Sequence, residues 1–144
     1  MRRILATALA LVTSFAALPA PAGGFLEMGI PPGLYTYRGQ CADSLTATGG
    51  LGPTSFVFDG RNLNSAKSLC RIRHVDMISA GFIAATTTCT DTASGRQSNE
   101  TYTLLPDQTG KPRIRLEAIH VNGVLTSHGN PDWFHLCRKL RPAR

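Results

Sequence analysis

The sequence lacks an apolar segment long enough to cross a membrane as a helix. Its longest apolar stretch covers residues 4–17, whereas a membrane-spanning helix needs about 20 apolar residues. Two arginines precede this stretch, and the small-x-small pattern Ala20-Pro21-Ala22 follows it. A positive start, an apolar centre and a small-residue end are typical of a secretory signal peptide. We therefore predict a signal peptide over residues 1–22, cleaved after Ala22, and no membrane span.

The predicted mature chain has only a modest excess of positive charge. Cleavage removes two of the 15 basic residues, which leaves 13 against nine acidic ones and a net charge of +4. This charge favours anionic surfaces without requiring a nucleic-acid partner. No cysteine lies at the predicted cleavage site, so we expect no lipid anchor. The expected location is the periplasm or the extracellular medium.

The chain also lacks an internal repeat, a low-complexity tract and a long apolar period of 3.6 residues. Short runs of β-branched, aromatic and apolar residues alternate instead with turn-forming residues, which predicts strands. Asn122-Gly123 is the strongest hairpin signal, because both residues tolerate the positive φ of a type I′ turn. Residues 62–69 suggest at most one short helical turn. The predicted strands cover residues 34–38, 55–58, 69–78, 82–90, 101–105, 113–121, 124–128 and 133–140.

Many short strands with frequent turns predict an all-β domain. Two architectures fit this pattern equally well, a small antiparallel β-barrel or a β-sandwich, each of about eight strands. The domain would cover residues 34–140, after an extended leader at 23–33 and before a basic tail at 141–144. Pro31-Pro32 forbids helix in the leader. This is enough chain for one modest core, and we expect a monomer.

The four cysteines are Cys41, Cys70, Cys89 and Cys137, and no two of them are close in sequence. Structural zinc sites usually contain closely spaced pairs of ligands. An exported chain without such pairs is expected to form disulfides. We therefore predict two disulfides, no metal and no cofactor. Four cysteines allow three connectivities.

One connectivity can be argued from a hairpin. If residues 79–80 form a two-residue turn, opposed residues have numbers that add up to 159, and Cys70 and Cys89 meet this condition. Directly opposed residues have close Cβ atoms, so a bridge is feasible there, and the other two cysteines would join the first strand to the last. If residues 80–81 form the turn instead, the two cysteines become diagonal neighbours. The first register also pairs Ile72 with Thr87, His74 with Ala85, and Asp76 with Ile83.

Recognisable catalytic motifs are missing. The chain has no G-x-S-x-G, H-E-x-x-H or S-x-x-K pattern in a usable context. Ser127, His128 and Asp132 have the side chains of a hydrolytic triad, but closeness in sequence does not establish triad geometry. His135 is a second candidate for a hydrolase. We predict no catalytic residue and keep a small exported hydrolase as an alternative.

The basic residues follow a pattern along the predicted strands. Arg71 and Arg73 share one face of one strand, and Arg113 and Arg115 share one face of another. A solvated surface is one interpretation, and a patch for an anionic envelope component or an acidic protein is the other. Few aromatic residues accompany the arginines, which disfavours nucleic-acid binding. The candidate patch consists of Arg71, Arg73, Arg113, Arg115, Arg138, Lys139 and Arg141.

Two aromatic pairs are candidates for the core. Trp133 and Phe134 point to opposite faces of a strand, so one of them is expected to be buried. Tyr35 and Tyr37 share one face of the first strand, and we expect both to pack in the core, with a recognition surface as the alternative.

The order of several short motifs resembles small exported proteins of Gram-negative bacteria, most of them uncharacterised. These motifs are Gly33-Leu34-Tyr35, the Cys70-x-Ile72…Cys89 hairpin and a closing Phe-His-Leu-Cys-Arg at 134–138. The resemblance implies a β domain with an inner and an outer disulfide, and it implies no activity. Periplasmic inhibitors of lysozyme are similar in size, export and expected architecture. Their Ser-Gly-x-x-Tyr signature is missing, because Ser98 stands where the tyrosine would be.

Three functions fit these observations. A non-enzymatic, inhibitor-like binding protein agrees with the predicted export, the basic residues and the missing catalytic motifs. The alternatives are the small hydrolase and a structural protein of the cell envelope.

Overall fold

A computed structural model describes residues 30–129 and 131–140. Most of these residues belong to nine antiparallel strands, and no helix among them is long and apolar enough to span a membrane. The predicted signal peptide, most of the leader and the basic tail lie outside the described residues. The strands are β1 (Gly33–Tyr37), β2 (Ser55–Phe58), β3 (Asn62–Ser65), β4 (Ser68–Ser79), β5 (Phe82–Asp91), β6 (Gln97–Pro106), β7 (Arg113–Val121), β8 (Val124–His128) and β9 (Trp133–Lys139).

Eight of these strands close into a barrel. Strands β1 to β7 follow one another around it, and β9 lies between β7 and β1. The first residues of β7 pair with β9, whereas its last residues pair with β8, so β8 is an additional strand beside the barrel. The predicted all-β class is confirmed, and barrel closure decides between the two predicted architectures. The hairpin at Asn122-Gly123 is also confirmed, with φ angles of 50° and 83°.

Strand β3 corrects the prediction for residues 62–69. The carboxylate of Asp59 accepts hydrogen bonds from the backbone N–H groups of Arg61 and Asn62, at 2.8 and 2.7 Å. These bonds close a tight turn at Gly60, where φ is 96°, and direct the chain back along β2. The Asn-Leu-Asn-Ser sequence of β3 has low strand propensity, but the strand gains pairing from both β2 and β4. Tertiary pairing therefore overrides local preference here.

The hairpin between β4 and β5 contains a second correction. Its turn is Ala80-Gly81, with φ angles of 47° and 84°, rather than residues 79–80. Ser79 faces Phe82, so next to the turn the numbers of two paired residues add up to 161. Two bulges in β4, at Ile78 and Arg73, each insert one unpaired residue. The first lowers the sum of the paired residue numbers to 160, and the second lowers it to 159.

The bulges explain why half of the predicted register was right. Beyond the second bulge, Cys70 faces Cys89 and Ile72 faces Thr87, as predicted. Between the bulges the prediction was wrong, because His74 faces Thr86 and Asp76 faces Ala84. The turn at residues 80–81 shifts the pairing register by two residues relative to the prediction, and the two bulges cancel this shift before the strands reach the cysteines.

Both predicted disulfides are present, and they use all four cysteines. Cys70–Cys89 links β4 to β5 across 19 residues, and Cys41–Cys137 links the segment after β1 to β9 across 96. On the chain-entropy account they stabilise the fold by about 3 and about 4.7 kcal/mol, respectively. A domain of this size has a net stability of about 5–15 kcal/mol, so each bridge matters.

The hydrophobic core extends from one end of the barrel, which we call the packed end, to the buried Cys70–Cys89 disulfide. The packed end is the end where β1, β3, β5 and β7 begin and where β2, β4 and β6 finish. Phe58, Ile83, Leu104 and Ile114 pack there, and Ile30 covers them from the leader. The leader is therefore part of the domain from residue 30 onward.

Candidate functional site

The opposite end of the barrel contains a cavity of about 520 Å³. We call this the cavity end. Small-molecule sites typically measure about 300–1,000 Å³, and an eight-stranded barrel is just wide enough to hold one small ligand. Most of the wall is apolar, and most of the polar lining comes from residues 53–55 and 64–68. The lining consists of Tyr37, Pro53, Thr54, Ser55, Phe56, Leu63, Asn64, Ser65, Lys67, Ser68, Tyr102, Leu104, Ile114, Leu116, Ile119 and Phe134.

A bulge in β7 shapes the apolar wall. Leu116 faces Leu104 and Ala118 faces Thr103, which leaves Glu117 unpaired between them. The bulge shifts the alternation by one residue, so that Ile119 rather than Ala118 points into the cavity with Leu116. Gly129 packs against this bulge, where an added Cβ would lie 2.0 Å from the carbonyl oxygen of Leu116. Only glycine fits at that position.

An aromatic cluster forms the wall on the side of β1, β2 and β9. Tyr35 stacks on Phe56 at 5.2 Å between ring centroids, and Phe56 meets Phe134 edge-on at 5.1 Å. Tyr37 contacts Phe134 at 5.7 Å. The expectation that one residue of the Trp133-Phe134 pair is buried is confirmed in part, since half-buried Phe134 packs against the core. Trp133 lies outside the barrel, under the guanidinium groups of two arginines.

Lys67 brings a positive charge to the mouth of the cavity. It lies in the tight turn between β3 and β4, where the hydroxyl oxygen of Ser65 accepts hydrogen bonds from the N–H groups of Lys67 and Ser68. The carbonyl of Lys67 accepts the backbone N–H of Thr92 at 2.9 Å, so both sides of the turn are fixed. Within the part of the chain that the structure describes, Lys67 is the one formally charged residue of the lining, and no ion pair includes it.

A polar cluster borders the cavity beside the inner disulfide. Tyr102 donates its hydroxyl to Glu100 at 2.5 Å, and Ser98 donates to the same carboxylate at 2.9 Å. Burial, followed by the hydrogen bond to Glu100 and its charge, raises the pKa of Tyr102. The phenol therefore stays neutral, and its proton is directed at Glu100.

The same cluster gives no metal site. Ligand atoms of Cys70, Cys89 and Glu100 lie within 4.8 Å of one another. Metal binding needs thiolates, however, and these two sulfurs are bonded to each other.

The triad residues are not brought together as a triad. Asp132 accepts hydrogen bonds from the Tyr37 hydroxyl at 2.5 Å and from Arg38 Nε at 2.7 Å, and these two contacts lower the pKa of its carboxyl group. Ser127 donates to the backbone carbonyl of His128 rather than to an imidazole, and both residues are exposed on β8. His135 lies on the outer face of β9, beside Gly39.

The structure divides the candidate basic patch. Strands β5 and β6 separate Arg71 and Arg73 on β4 from Arg113 and Arg115 on β7. The latter two bind Asp107 and Glu117, and both cover Trp133, with guanidinium carbons 4.5 and 5.5 Å from its ring centroid. Arg138 and Lys139 are exposed at the end of β9, and Arg141 lies outside the described residues.

Arg71 and Arg73 line a separate groove on the outer surface. Its volume is about 390 Å³, and its other polar residues are uncharged amides and hydroxyls. Arg73 Nε donates to Thr88 Oγ1 at 3.2 Å, which holds that guanidinium against the sheet. Among the described lining residues no carboxylate offsets the two positive charges. The groove is lined by Asn62, Asn64, Leu69, Cys70, Arg71, Arg73, Thr88, Thr90 and Gln97.

No protein-family model, curated protein or solved structure matches this chain. The geometry of the cavity and of the groove is therefore the basis for a functional proposal. Sequence reasoning missed the cavity residues Lys67 and Tyr102, and it missed Glu100, which accepts the hydrogen bond from Tyr102 beside the cavity. The available signal was the alternation of Ser98, Glu100, Tyr102 and Leu104, which share the inner face of β6.

Proposed function

We propose that this chain is a non-enzymatic binding protein, exported to the periplasm or secreted, whose barrel takes up one small and largely apolar molecule. The cavity at one end of the barrel is the observation that carries this proposal. Burial of apolar ligand surface against its wall would contribute about 25 cal/mol per Å². Two disulfides agree with an oxidising compartment.

The side chains at the cavity end support the same proposal. Small barrels without a ligand site fill their interior with large side chains. Here Ser65 occupies the inward position of β3 that faces Phe56, and Ser68 lines the cavity from the next strand, β4. Large apolar side chains fill the packed end, whereas these small polar side chains leave space at the cavity end.

An uncharged apolar fluorophore, N-phenyl-1-naphthylamine, tests the proposal directly. We expect saturable fluorescence enhancement with the wild-type protein. Ile119→Trp should weaken this binding at least about tenfold, because the larger side chain occupies the space that the ligand needs. Val124→Trp is the matched control, since Val124 is 65% exposed on β8 and does not line the cavity.

Two outcomes would contradict a ligand site in the barrel. One is a wild-type protein that shows no saturable enhancement. The other is an Ile119→Trp variant that keeps the wild-type melting temperature and binds the fluorophore as tightly as Val124→Trp does.

For the outer groove we propose an anionic partner, either an anionic envelope component or an acidic protein. The support is the pair Arg71 and Arg73, which is exposed, flanked by hydrogen-bonding side chains and not offset by a carboxylate among the described lining residues. The partner would engage the outer face of β4, apart from the ligand inside the barrel.

Binding of lipopolysaccharide and of polyglutamate, measured at low and high salt, tests this groove. The double variant Arg71→Gln/Arg73→Gln should weaken binding several-fold and reduce its dependence on salt. Arg138→Gln/Lys139→Gln removes the same charge at the exposed end of β9 and should have a smaller effect. Equal losses in both double variants would mean that net charge, not the groove, attracts the anion.

A further inference from the structure

We infer that the ligand of the barrel is an amphiphile with an anionic head group, which lies at Lys67 while its apolar chain extends toward Leu104 and Ile114. This inference rests on the proposed function and specifies its ligand class. The cavity has a polar mouth and an apolar interior, and this division matches a molecule with two chemically different ends.

The charge of Lys67 selects the sign of the head group. Lys67 is the one formally charged residue among the described lining residues, and no described carboxylate forms an ion pair with it. A carboxylate or phosphate at the mouth would provide that ion pair. The ammonium group would then bind its partner beside low-dielectric walls, which strengthens the attraction relative to open solvent.

The turn that contains Lys67 is fixed before a ligand arrives. Ser65 and Ser68 hold the turn from one side through their side chains, with 3.0 Å between the two hydroxyl oxygens. Thr92 holds it from the other side, through hydrogen bonds from its N–H and hydroxyl to the Lys67 carbonyl. Little backbone entropy therefore remains to be lost when Lys67 binds an anion.

Glu100 is the obvious competitor for a head group, because it is a half-buried carboxylate without an ion pair among the described residues. It does not line the cavity, and donors from Tyr102 and Ser98 already occupy its two oxygens. A cationic head group inside the cavity would not meet this carboxylate on the cavity wall, whereas an anionic head group would meet Lys67 there.

Three ligands with the same twelve-carbon chain separate the possibilities: dodecanoate, dodecanol and dodecylamine, each used to displace N-phenyl-1-naphthylamine at low salt. We expect dodecanoate to bind about tenfold more tightly than dodecanol, with dodecylamine the weakest. Lys67→Met should abolish the advantage of dodecanoate over dodecanol, and Lys67→Glu should reverse the order of dodecanoate and dodecylamine. Lys111→Glu is the control, because it makes the same change of charge at an exposed lysine that does not line the cavity.

Each other outcome overturns a defined part of this inference. Equal binding of the three ligands, or a preference for dodecylamine, overturns the anionic head group and leaves the proposed function intact. Binding of the fluorophore without displacement by any of the three overturns the amphiphile. Failure of the fluorophore itself to bind overturns the proposed function as well. An equal effect of Lys111→Glu would assign the preference to net charge.

Discussion

Asp107 shows how a single side chain can organise a loop in this protein. It follows the last residue of β6, and its carboxylate accepts hydrogen bonds from the Thr109 hydroxyl, the Thr109 N–H and the Arg113 guanidinium. The Thr109 hydroxyl is the largest cause of the shift that lowers the pKa of Asp107 to about 2, and the Arg113 contact adds to it. The carboxylate therefore joins both ends of the loop between β6 and β7.

This depressed pKa predicts a specific loss of stability in acid. The stabilisation is complete above the ordinary pKa of 3.8 and is lost as the pH falls toward about 2. Asp107→Asn should lower the melting temperature at pH 7 and make it less sensitive to pH between 4 and 2. Thermal unfolding at several pH values measures this effect. Asp43→Asn is the control, as Asp43 is exposed and has no side-chain hydrogen bond or ion pair within the described residues.

If Asp107→Asn unfolds at the wild-type temperature at every pH, the contacts of this carboxylate contribute no net stability.

Other arginines are also held by carboxylates that the sequence does not reveal as partners. Arg38 binds Asp132 from 94 positions away along the chain, and only closure of the barrel brings the two together. Arg115 binds Glu117, the residue that the β7 bulge leaves unpaired with β6. Counting charges along the sequence therefore overestimated how many arginines were available to a partner.

At the scale of elements, the hairpin between β4 and β5 shows what register prediction can miss. Its turn has the same φ angles, within a few degrees, as the Asn122-Gly123 turn: 47° and 84° against 50° and 83°. The first position is alanine in one turn and asparagine in the other. Alanine gives no signal for a left-handed conformation, so the sequence could not choose between residues 79–80 and the alternative 80–81. It also gave no sign of the two bulges that compensate for the turn.

The comparison of the two turns predicts a stabilising substitution. Ala80→Asn places at this position a residue that tolerates positive φ, and we expect the free energy of unfolding to rise by about 0.5–1 kcal/mol. Urea denaturation measures the change. Ala93→Asn is the control, because Ala93 is exposed in a turn but its φ is not positive. An Ala80→Asn variant no more stable than Ala93→Asn would show that the left-handed alanine costs nothing.

At the scale of the whole molecule, the sequence predicted the features that depend on local chemistry. Strand patterning predicted most of the strands, and the cysteines predicted both bridges. Barrel closure was not predictable, because it depends on β6 meeting β7 and on β9 fitting between β7 and β1. The cavity was not predictable for the same reason. Its lining comes from seven strands and two turns, and only the three-dimensional register assembles them.

The two ends of the barrel differ in what natural selection can change. Substitutions near Lys67, Ser68 or Ile119 would alter the proposed ligand site, whereas the residues around Phe58 and Ile83 would continue to stabilise the fold. On the proposed function, homologues could therefore diverge in ligand while they keep the packed end and the pair of bridges. Within such a lineage, the packed end would vary slowly and the cavity end would record each change of ligand.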